Sequence, residues 1–243
     1  MRAGSVSIVS GVARVGLGVA SAWAAYAWLP HLLTRTCSGP ANCDAIALTF
    51  DDGPDPIWTP RVLDILAARG AHATFFVIGR RAKAAPEVTR AIADAGHEVA
   101  NHTWSHPRLW ACGPRLTHEE IARCHDTIGE QTGVAPRHFR PPWGMVNAAM
   151  WRALKQTGER CIFWSLQPEG RRARSAETQA RYVVTRARPG AIVDLHDAEG
   201  VAGAPARLVA ALPAMLDGLF GAGYRLTTVT DVLTGAPASR EAS

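Results

Sequence analysis

The chain has 243 residues, 26 Lys plus Arg against 21 Asp plus Glu, a formal charge of +5 and 47% hydrophobic residues. That apolar content buries a large core and excludes wholesale disorder, and the length suits one domain of ordinary size or one α/β barrel. Five cysteines are too sparse for a disulfide scaffold, and a basic balance is an argument about partners, not about fold.

Residues 1–36 hold no acid. Arg2 and Arg14 precede an apolar run at 15–33, in which Ser21 and His31 are the clearly polar members. A membrane-spanning helix needs about 20 mostly apolar residues. Trp23, Tyr26 and Trp28 lie toward one end, as interfacial aromatics do, and the positive charges ahead of the run keep that side cytoplasmic. The sequence therefore predicts an N-terminal anchor over 1–34, with the rest of a single-pass protein outside the cytoplasm. The alternatives are a signal peptide cut near Ala25-Tyr26-Ala27, which gives a secreted protein, and a buried core helix. A short Pro/Gly-bearing linker follows at 35–44. In an exported chain its Cys37 and Cys43 would form a local disulfide, and Cys112 with Cys124 a second. Cys161 reads as a small buried hydrophobe. No CxxC pair exists, so no zinc-finger arrangement is present.

From 45 to 234 the chain alternates. Apolar or β-branched runs at Ile46–Phe50, Ala73–Ile78, Glu98–Asn101, His138–Arg140, Cys161–Leu166, Ala191–Leu195 and Arg225–Val229 predict strands. Helical stretches at Thr59–Ala68, Ala82–Ala95, Thr117–Gln131, Asn147–Thr157, Ala176–Ala187 and Ala206–Leu219 lie between most of them. Gly70, Gly96 and Gly133 punctuate helix ends, and Thr117 with Glu120 reads as a capping box. This alternation argues for a parallel sheet with helices outside it, as a barrel or a wide open sheet. The small, polar stretch 235–243 reads as a flexible tail.

Four constellations end predicted strands, where α/β folds place their sites. In Thr49-Phe50-Asp51-Asp52-Gly53-Pro54, adjacent carboxylates close a hydrophobic strand. Burying both is expensive unless a cation or hydrogen bonds compensate, so one acid can bind a metal while its neighbour acts as a base. In Asn101-His102-Thr103-Trp104-Ser105-His106-Pro107 the two histidines are four apart. Strand geometry would separate them by about 13 Å, whereas one helical turn brings their Cβ atoms to about 5–6 Å, close enough for one ion. Pro107 keeps that turn short. In Phe139-Arg140-Pro141-Pro142-Trp143-Gly144, prolines stiffen an Arg that can orient a carboxylate. In Ile192-Val193-Asp194-Leu195-His196-Asp197, a His flanked by acids suits a general acid.

Together, in this order and spacing, the four resemble the polysaccharide deacetylases of carbohydrate esterase family 4, the NodB-homology domain, from about Ile46 to Val232. The resemblance implies a distorted (β/α)7 barrel. It implies that Asp52, His102 and His106 bind a divalent metal, zinc first, with cobalt, nickel or iron as substitutes. Asp51 would be the base that deprotonates metal-bound water, held ionised by Arg140. The Trp143 N–H would hold the oxyanion, and Pro142 and Leu195 would line the acetyl pocket. His196 would protonate the leaving amine. The implied function is N-deacetylation of an envelope or extracellular glycan such as peptidoglycan or a chitin-like polymer.

The fourth motif departs from the family pattern. In Phe163-Trp164-Ser165-Leu166-Gln167-Pro168-Glu169-Gly170-Arg171, the usual Asp that tunes the acid His is replaced by Gly170. Glu169, Asp194 and Asp197 are the candidates to take over, and without an adjacent carboxylate His196 would be a weaker proton donor. Alternative functions are a catalytically weak, metal-containing glycan-binding protein, or an O-deacetylase of xylan-type or exopolysaccharide substrates. The arginines at 171, 172, 174, 181, 186 and 188 lack interleaved aromatics or any nucleic-acid motif, so no nucleic-acid partner is expected. The expected partners are the acetylated glycan and the membrane, with a monomeric chain.

Overall fold

The computed structural model describes residues 21–27, 36–41, 43–169, 175–200 and 203–235. Seven parallel strands form one curved sheet: β1 (Ala45–Asp51), β2 (Thr74–Val77), β3 (Glu98–Asn101), β4 (His138–Phe139), β5 (Arg160–Cys161), β6 (Ile192–His196) and β7 (Arg225–Thr227). The order is β5-β4-β3-β2-β1-β6, with β7 paired to the start of β1 on the same side as β2. Among the described residues from 45 onward the helices are α1 (Trp58–Ala67), α2 (Gly79–Ala84), α3 (Pro86–Asp94), α4 (Pro114–Thr132), α5 (Ala148–Thr157), α6 (Ala176–Arg186), α7 (Ala204–Gly221) and α8 (Val229–Thr234).

Among the described residues no continuous ladder joins the outer strands β5 and β6. Leu166 makes an isolated parallel bridge to Val193, and Ser165 N–H donates to Ile192 O. Below that seam Thr36 bridges Ile162 and Ser38 bridges Ala191. The expected barrel is thus present as a partly open one, wedged on one side by the linker.

Strand alternation sorts the side chains. On β1, Ile46, Leu48 and Phe50 face the helices, in one cluster with Val62 and Leu66 of α1 and Leu208 and Leu212 of α7. Ala45 and Ala47 face the interior with Phe76, Ala100 and Ile192. Small residues there leave room for the polar Thr49 and Asp51 higher on the same face. The register sets Thr49 opposite Asp194 and Asp51 opposite His196, so four polar side chains converge at the carboxyl ends of two neighbouring strands.

Some expected elements are corrected. The stretch Ala82–Ala95 is two helices, because Pro86 cannot continue α2 and instead opens α3. Val229 belongs to α8 rather than to the last strand, since Thr228 caps it by accepting from Asp231 N–H. α4 begins at Pro114, so Thr117 lies inside it and bonds back to Gly113 O, and the predicted capping box does not form. All five cysteines are free. Cys112 packs with Leu109 and Met150, while Cys124 packs in the separate cluster outside the sheet, so the expected pairing is absent. Cys43 Sγ donates to Ala45 O and makes no disulfide with Cys37.

Of the expected anchor, 21–27 lies within the described residues and is helical. Trp23 Nε1 donates to Trp110 O at 3.1 Å, Tyr26 Oη donates to Cys112 O at 3.0 Å, and Ala27 is buried. Among the described residues no helix is long and apolar enough to cross a membrane.

Candidate active site

The carboxyl ends of β1, β3, β4 and β6 surround a cleft of about 430 Å³. Asp51 ends β1 in extended backbone, and Asp52 turns out of it with φ 73°. The turn is crowded: a Cβ on Gly53 would lie 2.6 Å from the Asp197 carboxylate, so glycine is required there.

His102 and His106 follow β3, but no helical turn joins them. Thr103 and His106 adopt left-handed backbone, at φ 68° and 64°, and these reversals bring the imidazole centroids to 5.0 Å. A dense set of hydrogen bonds holds this unfavourable geometry. Asn101 Oδ1 accepts from Thr103 N–H, and Thr103 Oγ1 accepts from His106 N–H. Glu120 of α4 accepts from Ser105 N–H and Ser105 Oγ, both at 2.7 Å, and its carbonyl accepts from Trp104 N–H. Behind the loop, Asn101 Nδ2 donates to Glu159, which also binds His125 at 2.6 Å. In the sequence Glu120 reads only as a cap, and its position on an amphipathic helix gives no local sign of this role.

The donor atoms of Asp52, His102 and His106 lie within 4.8 Å of one another. Asp52 Oδ1 is 3.1 Å from His106 Nε2 and 3.6 Å from His102 Nε2, and it is buried without a hydrogen-bond partner. His102 Nδ1 is held by Arg140 O at 2.8 Å, which puts its proton on Nδ1 and leaves the Nε2 lone pair facing Asp52. Burial favours neutral His102 and outweighs the pull of Asp51, lowering its pKa to about 4. Burial alone would raise the Asp52 carboxyl, but the imidazoles of His106 and His102 outweigh it and hold it far below the usual range. Lone pairs converging on an orphaned buried carboxylate fit a divalent cation.

The charge balance of the cleft points the same way. Asp51, Asp52, Glu169 and Asp194 line it. The cations paired with them are the buried Arg140 and, when protonated, the half-buried His196. A divalent ion at Asp52 would offset the excess of acids in the interior of the cleft.

Arg140 follows β4 and is fully buried. Its Nη1 donates to Asp51 Oδ1 at 2.7 Å and to Thr49 Oγ1 at 2.6 Å, and Nη2 donates to Phe163 O at 3.1 Å. The guanidinium lies 4.1 Å from the Phe76 ring centroid and 3.6 Å from Asp194 Oδ1. The next turn places Trp143 at φ 60°, more than half exposed at the rim. Gly144 adopts φ 65°, and a Cβ there would meet Trp164 at 3.2 Å.

His196 ends β6. Its Nδ1 lies 2.6 Å from Glu169 Oε2, while Glu169 Oε1 accepts His196 N–H at 3.2 Å. Burial disfavours the imidazolium, but Glu169 and then Asp194 outweigh it and raise its pKa to about 10. Glu169 is thus the carboxylate on His196; Gly170 and Arg171 lie outside the described residues. Asp194 instead accepts from Gln167 Nε2 at 2.8 Å, and burial with the nearby Asp51 raises its carboxyl above the usual range. Asp197 is fully buried beneath Gly53 and accepts from Thr59 Oγ1.

Two expected pocket residues are elsewhere. Leu195 faces the helices with Phe50 and Leu208, because its neighbours Asp194 and His196 occupy the inner face. Pro142 is buried in the turn, and Pro141 lines the cleft instead. Trp164 and Arg81, not singled out from the sequence, also line it.

Comparison with known proteins agrees with this geometry. Residues 38–162 match the polysaccharide deacetylase family. A chitooligosaccharide deacetylase of Sinorhizobium fredii is 38% identical over 170 residues, covering 70% of this chain and 79% of that one. A peptidoglycan-N-acetylglucosamine deacetylase of Bacillus cereus is 36% identical over 196 residues, covering 80% and 90%. The crystal structure of the Bc1960 peptidoglycan N-acetylglucosamine deacetylase, bound to an N-hydroxybenzamide, superposes with a TM-score of 0.77 at 31% identity, covering 82% of this chain and 92% of that one. With its strand-end carboxylates and histidines in the family's order and the family match spanning half its length, the chain belongs to the polysaccharide deacetylases, the NodB-homology group of carbohydrate esterase family 4.

Proposed function

We propose that the chain is a metal-dependent N-deacetylase of N-acetylated amino sugars in an envelope or extracellular glycan. The observation that carries this reading is the orphaned Asp52 Oδ1 between two imidazoles, flanked by the Asp51–Arg140 pair and the His196–Glu169 pair. The substrates of the related deacetylases, chito-oligosaccharides and peptidoglycan N-acetylglucosamine, support an N-acetyl target over O-acetyl xylan. The Glu169 contact with His196 favours an enzyme over a glycan-binding protein of weak activity.

Two imidazoles and a carboxylate suit zinc, with cobalt, nickel or iron as substitutes; held by Asp52, His102 and His106, the ion would polarise the acetamide carbonyl and acidify a water. Asp51 Oδ1 is held by Arg140, so Oδ2 is the atom that accepts the proton of the attacking water. The Trp143 N–H donates to the oxygen on which negative charge develops. His196 Nδ1 is held by Glu169, so Nε2 carries the proton taken by the leaving sugar nitrogen. Acetate and a free amino sugar result. Export through the N-terminal segment, as an anchor over 1–34 or a cleaved signal, belongs to the same proposal, supported by its acid-free basic flank.

The test is acetate release from N-acetylchitotetraose and from peptidoglycan by the zinc-loaded chain, abolished by chelator and restored by zinc. Asp51→Asn should remove turnover while zinc content is kept. No release from either substrate refutes the function, and a fully active Asp51→Asn variant refutes the base. Membrane fractionation with N-terminal sequencing tests export, which a soluble cytoplasmic protein retaining Met1 would refute.

A further inference from the structure

We propose that Arg80 and Arg81 make one wall of the cleft a cationic subsite that selects glycans bearing a carboxylate over neutral glycans of the same length. This rests on the reading of the cleft as a deacetylase site and names the class of polymer it takes.

Arg80 and Arg81 line the cleft together with Glu199. Arg80 is exposed, and among the described residues no carboxylate lies within 4.0 Å of its guanidinium. Its backbone is fixed, since Arg80 N–H donates to Trp104 O at 2.9 Å and Gly79 packs against Trp104. Arg81 spends its donors on two carbonyls, Asp52 O at 2.8 Å and Glu199 O at 3.2 Å. Carbonyl partners satisfy hydrogen bonds without cancelling charge, so Arg81 remains a net cation. The Glu199 carboxylate accepts from Gly203 N–H at 3.2 Å and likewise keeps its charge, so two guanidiniums face one carboxylate on this wall. Trp143 and Trp164 line the same cleft and offer aromatic faces on which sugar rings can stack. A third guanidinium, Arg108, lies 5.7 Å from the Trp143 ring centroid.

The interior does not oppose this wall. Its carboxylates are offset by the buried Arg140 and by the divalent ion that the donor set fits, and at the mouth Arg80 and Arg81 outnumber the single carboxylate of Glu199, so the mouth is net cationic. A guanidinium binds a carboxylate through paired, charge-assisted hydrogen bonds that a sugar hydroxyl matches only weakly. A polymer with a carboxylate on alternate sugars offers that partner, and a chitin-like polymer does not.

The experiment is calorimetric titration of the full chain carrying Asp51→Asn, so that bound glycan is not consumed. The two probes are N-acetylchitotetraose and the tetrasaccharide of alternating N-acetylglucosamine and N-acetylmuramic acid without stem peptides. The acidic probe should bind at least about fivefold tighter at low salt, and the preference should collapse near 0.5 M salt. Adding Arg80→Glu should lower the affinity ratio by about tenfold. Equal affinities, undetectable binding of the acidic probe, or a preference that survives Arg80→Glu overturns the proposal. Acetate release from the same probes by the unsubstituted chain is read separately. Its absence alongside an intact preference refutes deacetylation and leaves the cationic subsite standing.

Discussion

Replacing Glu169 with glutamine isolates the charge behind the acid side of the cleft. Glutamine keeps the length and can still accept a hydrogen bond from Nδ1 at the 2.6 Å contact, so the ring orientation survives while the charge is lost. A hydrogen bond to a charged partner is worth about 1.5–3 kcal/mol, and one pKa unit is about 1.4 kcal/mol, so the imidazolium should lose about one to two units. His196 stands at about 10 against an ordinary 6.5; a divalent ion nearby would draw it down, and the substitution lowers it further from wherever the ion leaves it. The assay is kcat/KM against pH, whose alkaline limb reports the essential acid of the free enzyme. That limb should move to lower pH by about one to two units. Stability should follow with the same sign. A folded pKa above the unfolded one contributes stability that is complete below about 6.5 and lost as pH rises through the folded value. Glu169→Gln therefore flattens the pH dependence of Tm in that window. An alkaline limb that stays in place at unchanged zinc content would refute the reasoning.

Asp52→Asn should lower bound zinc well below one equivalent by elemental analysis while the fold persists by circular dichroism, since a neutral amide is a poor replacement for the carboxylate ligand. Glu120→Gln loosens the turn carrying His106 without touching a ligand, and a competition assay should show zinc affinity falling about 10- to 100-fold. Leu195→Ala opens a cavity in the outer core and should cost about 2–5 kcal/mol in denaturant unfolding. The ratio of activity on N-acetyl to N-propionyl substrates should stay as it is, because Leu195 faces away from the cleft.

The strands were legible in the sequence because each is a short apolar run ended by chemistry. Glu98–Asn101 matches its predicted bounds and Ile192–His196 shifts by one residue. The paired acids, the two histidines and Arg140 were legible for the same reason, since charged residues at the ends of buried runs have few structural uses. Side-chain direction was harder. Leu195 sits between Asp194 and His196 in sequence, yet period-two alternation puts it on the opposite face. The spacing at His102 predicts a helical turn because it constrains separation and not backbone path; the left-handed residues Thr103 and His106 bring the rings together another way. Glu169 was one of three candidates. The choice among them is tertiary, fixed where the seam at Leu166 and Val193 carries the stretch after β5 alongside β6.

Arg140 ties the candidate site to the altered fourth motif. Its guanidinium binds the base side chain, its carbonyl fixes the tautomer of a candidate metal ligand, and its Nη2 grips Phe163 O at the start of the altered stretch. The geometry of that stretch is therefore set from its amino end by a group the alteration does not touch. Downstream, Ser165 and Leu166 are pinned to β6 by backbone hydrogen bonds, which tolerate side-chain change. Between these anchors and the described end at Glu169, a carboxylate has only to reach His196 from a fixed backbone. A glutamate one residue before the usual aspartate can do so, because its extra methylene extends its reach. The candidate metal ligands, carried by β1 and the turn after β3, come from outside this stretch.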